Sequence, residues 1–110
     1  MKHFLLFYEV ADDYAARRGQ FREAHLKKAW ESHGRGELIL GGALANPLDG
    51  AVLLFRSDSP QVVEAFAKRD PYVLNGLVSR WRVREWTTVV GPDAEVQLAP
   101  LDGARGNPAL

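Results

Sequence analysis

His25 and Asp70 are the residues of this chain whose types and positions best suit proton-transfer chemistry. His25 lies in Arg22-Glu23-Ala24-His25-Leu26-Lys27-Lys28-Ala29-Trp30, and Asp70 in Arg69-Asp70-Pro71-Tyr72. Each falls on the helix face that periodicity assigns to the interior, where an ionisable group is costly without a partner. An imidazole donating Nδ1–H to a carboxylate satisfies both groups. It also fixes the ring's tautomer and leaves Nε2 free as a general base or acid. A carboxylate at the C-terminal end of a helix opposes the macrodipole and faces unpaired carbonyls, so Asp70 needs such compensation. The same two residues also suit a purely structural pairing, with Asp70 ending its helix ahead of Pro71 and His25 a satisfied core histidine.

Other side chains can extend such a site, each with a plainer reading beside it. Arg22, one turn from His25, suits an anionic substrate or simple solvation. Tyr72 can offer a hydroxyl to a cleft or merely pack. Gly42, with Gly41, allows a ligand close to the backbone or serves turn chemistry. Arg80, Arg82 and Arg84 share one face of the last strand, as an anion site or as guards of a sheet edge. His3, His25 and His33 are the only histidines. The last two are eight residues apart on one helix, too far to share an ion, so no metal is expected. Serine-hydrolase, P-loop and dinucleotide patterns are absent, and no cofactor is expected.

The elements that must position these residues read β-α-β-β-α-β. His3 to Val10 is a strand rich in aromatic and branched residues, stopped by the polar turn Ala11-Asp12-Asp13. Next comes an amphipathic helix with Phe21, His25, Ala29 and Ser32 on one side, extended by Leu26 and Trp30, and Glu23, Lys27 and Glu31 opposite. Gly34 and Gly36 can end it. Glu37 to Ala43 and Ala51 to Arg56 then form a hairpin about Asn46-Pro47-Leu48-Asp49-Gly50. Ser59-Pro60 signals a second helix, with serine as its cap. Val62, Val63, Phe66 and Ala67 form the buried face of that helix, and Pro71 ends it. The last strand runs from about Ser79 to Val90.

This order predicts an α+β ferredoxin-like sandwich with two helices on one face of an antiparallel sheet. The first strand is apolar on both faces, Phe4, Leu6 and Tyr8 against Leu5 and Phe7, and the third repeats this with Leu53 and Phe55 against Val52 and Leu54. The uncovered face predicts a second subunit packed sheet to sheet in a homodimer, or else cover by the C-terminal tail. Residues 1–91 read as one domain and 92–110 as a flexible or arm-like tail rich in Gly, Pro and Ala.

Composition narrows the partners. Fourteen basic residues balance fourteen acidic ones, so no positive field draws the chain to nucleic acid or an anionic membrane surface. The absence of cysteine removes disulfides, thiolate metal sites and a cysteine nucleophile. The apolar start is too short for a membrane span or signal core, and a cytoplasmic location is expected.

Asp70-Pro71-Tyr72-Val73-Leu74-Asn75-Gly76-Leu77 resembles the signature of the YciI-like family, as do Arg22-Glu23-Ala24-His25-Leu26, Gly41-Gly42-Ala43-Leu44 and Asp49-Gly50-Ala51. The resemblance spans about residues 3 to 91. It implies a ferredoxin-like protein that dimerises into an α/β barrel, with the family's paired histidine and aspartate at His25 and Asp70. Most members of that family have no known reaction, one is a dehydrochlorinase of a chlorinated hydroxyhydroquinone, and muconolactone isomerase has a similar fold. Many members carry Gly-Pro after the second strand, where this chain has Gly42-Ala43. The expected function is acid–base chemistry by His25 and Asp70 on a small cyclic or anionic molecule: elimination, isomerisation or decarboxylation. The alternatives are a ligand-binding or regulatory dimer module and a structural dimer.

Overall fold

A computed structural model describes residues 1–98. The order is β1 (Lys2–Val10), α1 (Tyr14–Gly34), β2 (Leu38–Ala43), β3 (Gly50–Ser57), α2 (Gln61–Arg69), α3 (Pro71–Leu74) and β4 (Val78–Trp86). The strands form one antiparallel sheet in the order β2-β3-β1-β4, the arrangement of a ferredoxin-like α+β fold. Residues 99–110, most of the expected tail, lie outside the described residues. Among those described, no helix is long and apolar enough to cross a membrane.

Strand alternation explains the core. Phe4, Leu6 and Tyr8 of β1 stand opposite Phe55, Leu53 and Ala51 of β3, on the face that α2 and α3 cover with Val63, Phe66, Ala67 and Tyr72. Phe55 and Phe66 meet edge to face at 5.2 Å. Phe55, Leu6 and Val63 are fully buried, each contributing about 1.5–3 kcal/mol from the apolar surface removed from water. On the opposite face Leu5 lies beside Leu54 and Phe7 beside Val52, all four only partly buried, with the Arg82 guanidinium 4.5 Å above the Phe7 ring.

Three local details differ from the expected elements. β4 stops at Trp86, four residues early, because Trp86 pairs with His3 near the start of β1 and little strand remains for it to follow. The chain turns back there instead. Val96 and Leu98 donate their N–H groups to the carbonyls of Thr88 and Val89, and the Thr88 hydroxyl lies 2.6 Å from His3 Nδ1. Burial, with Arg56 nearby, holds His3 below the ordinary histidine value. At α2, Ser59 makes no capping bond. Its own N–H is held by the Ser57 hydroxyl, and Pro60 supplies the first helical carbonyl, to Glu64.

The third difference bears on the site. Pro71 ends α2 as expected but also starts α3, so Asp70 is at once the C-cap of α2 and the N-cap of α3. Its side chain accepts the Tyr72 N–H. The local backbone therefore supplies a donor where a lone helix C-terminus would present only carbonyls. Past the end of α3 and its cap Asn75, Gly76 has a φ of +75° that suits a residue without Cβ and lets Leu77 N–H return to the Tyr72 carbonyl.

Candidate functional site

Asp70 is 0% exposed, and its carboxylate is met by donors from three elements. Tyr8 of β1 donates its hydroxyl to Oδ2 at 2.7 Å, and the Tyr72 N–H reaches Oδ1 at 3.0 Å. His25 of α1 places Nδ1 at 2.8 Å from Oδ1 and 3.0 Å from Oδ2. Because a carboxylate offers only acceptors, Nδ1 carries the proton in this pair, and the tautomer follows. The imidazole also stacks on the Tyr72 ring, with centroids 4.0 Å apart and planes 9° apart, and Tyr14 meets Tyr72 edge-on at 5.7 Å. Ring position and rotation are thus both fixed. No protein group among the described residues bonds Nε2, and the ring borders an adjacent cavity.

That cavity, of about 380 Å³, lies between α1 and the β2 side of the sheet. Its α1 wall is a stripe at helical spacing, Arg18, Arg22, His25, Ala29, Trp30 and His33, and Tyr8, Leu53 and the backbone of β2 line it elsewhere. Four basic side chains border it and no carboxylate does, so its field favours an anion. Burial, followed by the neighbouring Tyr14, pushes the Tyr72 phenol above the ordinary tyrosine value, with Arg22 opposing. Burial next to the Asp70 carboxylate pushes Tyr8 far higher. Both phenols stay protonated as donors near neutral pH.

The residues singled out from sequence fall as follows. His25, Asp70, Tyr72 and Arg22 come together. Gly42 borders the cavity only through its backbone, because it sits in register with Val52 on the other face. Gly41 is the glycine whose missing side chain faces inward: a Cβ there would lie 3.3 Å from Leu53 Cγ. Arg80, Arg82 and Arg84 lie off the cavity. Sequence reasoning missed Tyr8, Tyr14, Arg18 and His33. The signal for Arg18 was available, since it lies seven residues before His25 and so continues its wheel position along α1, whereas His33, eight residues after, is turned about 80° from it. Tyr8 reads as a core aromatic, because the partner of its hydroxyl, Asp70, depends on tertiary packing, and Tyr14 carries no signal of its own in the sequence. No cluster of three His, Cys, Asp or Glu among the described residues is placed to hold a metal ion.

The model of the YCII-related domain matches residues 1–87. One similar solved structure is 5-chloro-2-hydroxyhydroquinone dehydrochlorinase (TftG) from Burkholderia phenoliruptrix AC1100, in complex with 2,5-dihydroxybenzoquinone. It is 20% identical, has a TM-score of 0.67, and the match covers 78% of this chain and 94% of that one. Another is protein Atu4242 from Agrobacterium tumefaciens, 15% identical with a TM-score of 0.54, covering 88% of this chain and 100% of that one. At these identities the likeness is one of fold. No curated protein matches the chain.

Proposed function

The chain belongs to the YCII-related domain family, and from that membership and the geometry around His25 we propose a dimeric, cofactor-independent enzyme acting on a small anionic ring compound. The observation that carries this reading is a histidine tied through Nδ1 to a buried carboxylate, its Nε2 unbonded among the described residues and its ring bordering a cavity lined by basic side chains. Nε2 accepts a proton from a substrate carbon. In an elimination, the C–H electron pair forms the new double bond and the leaving group departs with its own pair. In an isomerisation, the same proton returns at another carbon. Asp70 stabilises the imidazolium formed in either case and keeps the ring aimed. Arg22 and the Tyr72 phenol hold the oxyanion that delocalises the developing charge. The solved complex of the dehydrochlorinase with a dihydroxybenzoquinone makes chlorinated hydroxyquinols the first compounds to try.

The dimer belongs to the same proposal. Leu5, Phe7, Val52 and Leu54 form a continuous apolar patch on the sheet face that the helices leave bare, and a second copy packed sheet to sheet covers it.

The test is chloride release and product formation from a chlorinated hydroxyhydroquinone by the wild type, His25→Ala and Asp70→Asn. A folded His25→Ala with turnover reduced at least about a hundredfold supports the proposal; undiminished turnover rejects it. Tight binding of hydroxyquinols by the wild type with no reaction points instead to a ligand-binding module.

A further inference from the structure

His33 sits two helical turns beyond His25 on the same stripe of α1, and both border the one cavity. Its Nδ1 lies 2.8 Å from the Leu38 carbonyl. A carbonyl can only accept, so Nδ1 is the protonated nitrogen, and in the neutral ring Nε2 carries an unused lone pair. His33 therefore repeats the arrangement of His25, an anchored Nδ1–H and an Nε2 unbonded among the described residues, with Trp30 edge-on to the ring at 5.3 Å. Between the two histidines the stripe is apolar, formed by Leu26, Ala29 and Trp30, and Trp30 is 68% exposed. A large apolar side chain left this open at the lip of a cavity suits a ligand with an apolar surface of its own.

We infer that His33 is a second recognition residue, and that the cavity takes an elongated substrate: an oxyanion at the Arg22 and His25 end, a flat apolar body along Leu26, Ala29 and Trp30, and a hydroxyl donated to His33 Nε2. This rests on reading the His25 end as the anionic active site. Eight residues of helix separate the two histidines by about 12 Å, further than one six-membered ring spans. The preferred substrate is thus a hydroxy acid that carries a second ring or a chain beyond the single ring held at the His25 end.

The test compares benzoate with 4′-hydroxybiphenyl-4-carboxylate, using the histidine ring resonances in NMR and the dissociation constants of both probes. The longer probe is expected to move His25 and His33 together, and benzoate His25 alone. His33→Asn keeps an amide N–H for the Leu38 carbonyl and, being shorter, places no acceptor where Nε2 stood, so the preference for the longer probe is expected to fall about fivefold to tenfold. Trp30→Ala, at an exposed position, is expected to reduce the same preference and serves should His33→Asn unfold. If the longer probe moves only His25 and both variants keep the wild-type preference, the inference is overturned while the proposed function stands. If neither probe moves His25, the anionic site is wrong and the inference falls with it.

Discussion

Removing the Tyr8 hydroxyl isolates one of the three bonds on Asp70. In Tyr8→Phe the ring still fills its place beside Leu53 and Leu6, and only the 2.7 Å bond to Oδ2 is lost. Tyr8 is 3% exposed and Asp70 0%, so water does not readily replace the donor. A hydrogen bond to a charged group is worth about 1.5–3 kcal/mol, and about 2 kcal/mol is expected here, a roughly thirtyfold change in the folding equilibrium. Urea unfolding is the assay: the midpoint should drop by about 1 M with the slope unchanged. Asp70→Asn should cost about 3 kcal/mol or more, because an amide NH2 now confronts groups that are themselves donors. In that background the Tyr8 hydroxyl no longer faces a full carboxylate, so Tyr8→Phe should cost less, with a coupling of about 1–2 kcal/mol across the double-mutant cycle. Additive losses, or a Tyr8→Phe loss under about 0.5 kcal/mol, would refute the carboxylate as the hub of the site.

Three further predictions concern the dimer and the two ends of the pH range. On the proposed sheet-to-sheet dimer, the wild type should run as a dimer by light scattering and Phe7→Glu as a folded monomer, and equal masses would remove that face as the interface. His3 has a lowered value in the folded state, so the unfolded chain binds the proton first. Its contribution is present above the ordinary histidine value of 6.5 and is lost as pH falls through the lower folded value. The urea midpoint should therefore decline below about pH 6.5, less steeply in His3→Gln; equal slopes would exclude His3 as the source. At the alkaline end Tyr8 is raised above 10.0, so its contribution is present below pH 10 and falls above it by about 1.4 kcal/mol per pH unit. Tyr8→Phe should flatten that limb.

The strand and helix order was legible because each element buries one face, and alternation in Phe4-Leu5-Leu6-Phe7-Tyr8 and helical spacing through Phe21, His25 and Ala29 record that directly. His25 and Asp70 stood out for the same reason, as ionisable residues on faces otherwise apolar. α3 was not legible: Pro71-Tyr72-Val73-Leu74 is one turn, too short to show a period. Its presence reverses the local reading of Asp70, from a carboxylate opposed by a helix end to one that caps the next helix. Tyr8 escaped because a tyrosine in a core strand carries no mark of where its hydroxyl ends. Gly41 and Gly42 could not be told apart until the bulge between Leu38 and Leu40 set which of them faces the cavity.

The structural and catalytic readings of the pair can be weighed by energy. Three hydrogen bonds on a fully buried carboxylate roughly offset the cost of removing its charge from water, and well-packed apolar residues in such places are often equally stable or more so. Stability alone gives little reason for Tyr8, His25 and Asp70 to be what they are. What an apolar cluster cannot do is hold one imidazole in a single tautomer, flat against an aromatic ring, with Nε2 open to a space bordered by Arg18 and Arg22. Each contact around Asp70 constrains the orientation of His25, and none of them uses its second nitrogen. An arrangement whose rigid side is fully bonded and whose open side borders a cavity with two arginines is the one the proposed proton transfer to or from an anionic ligand requires.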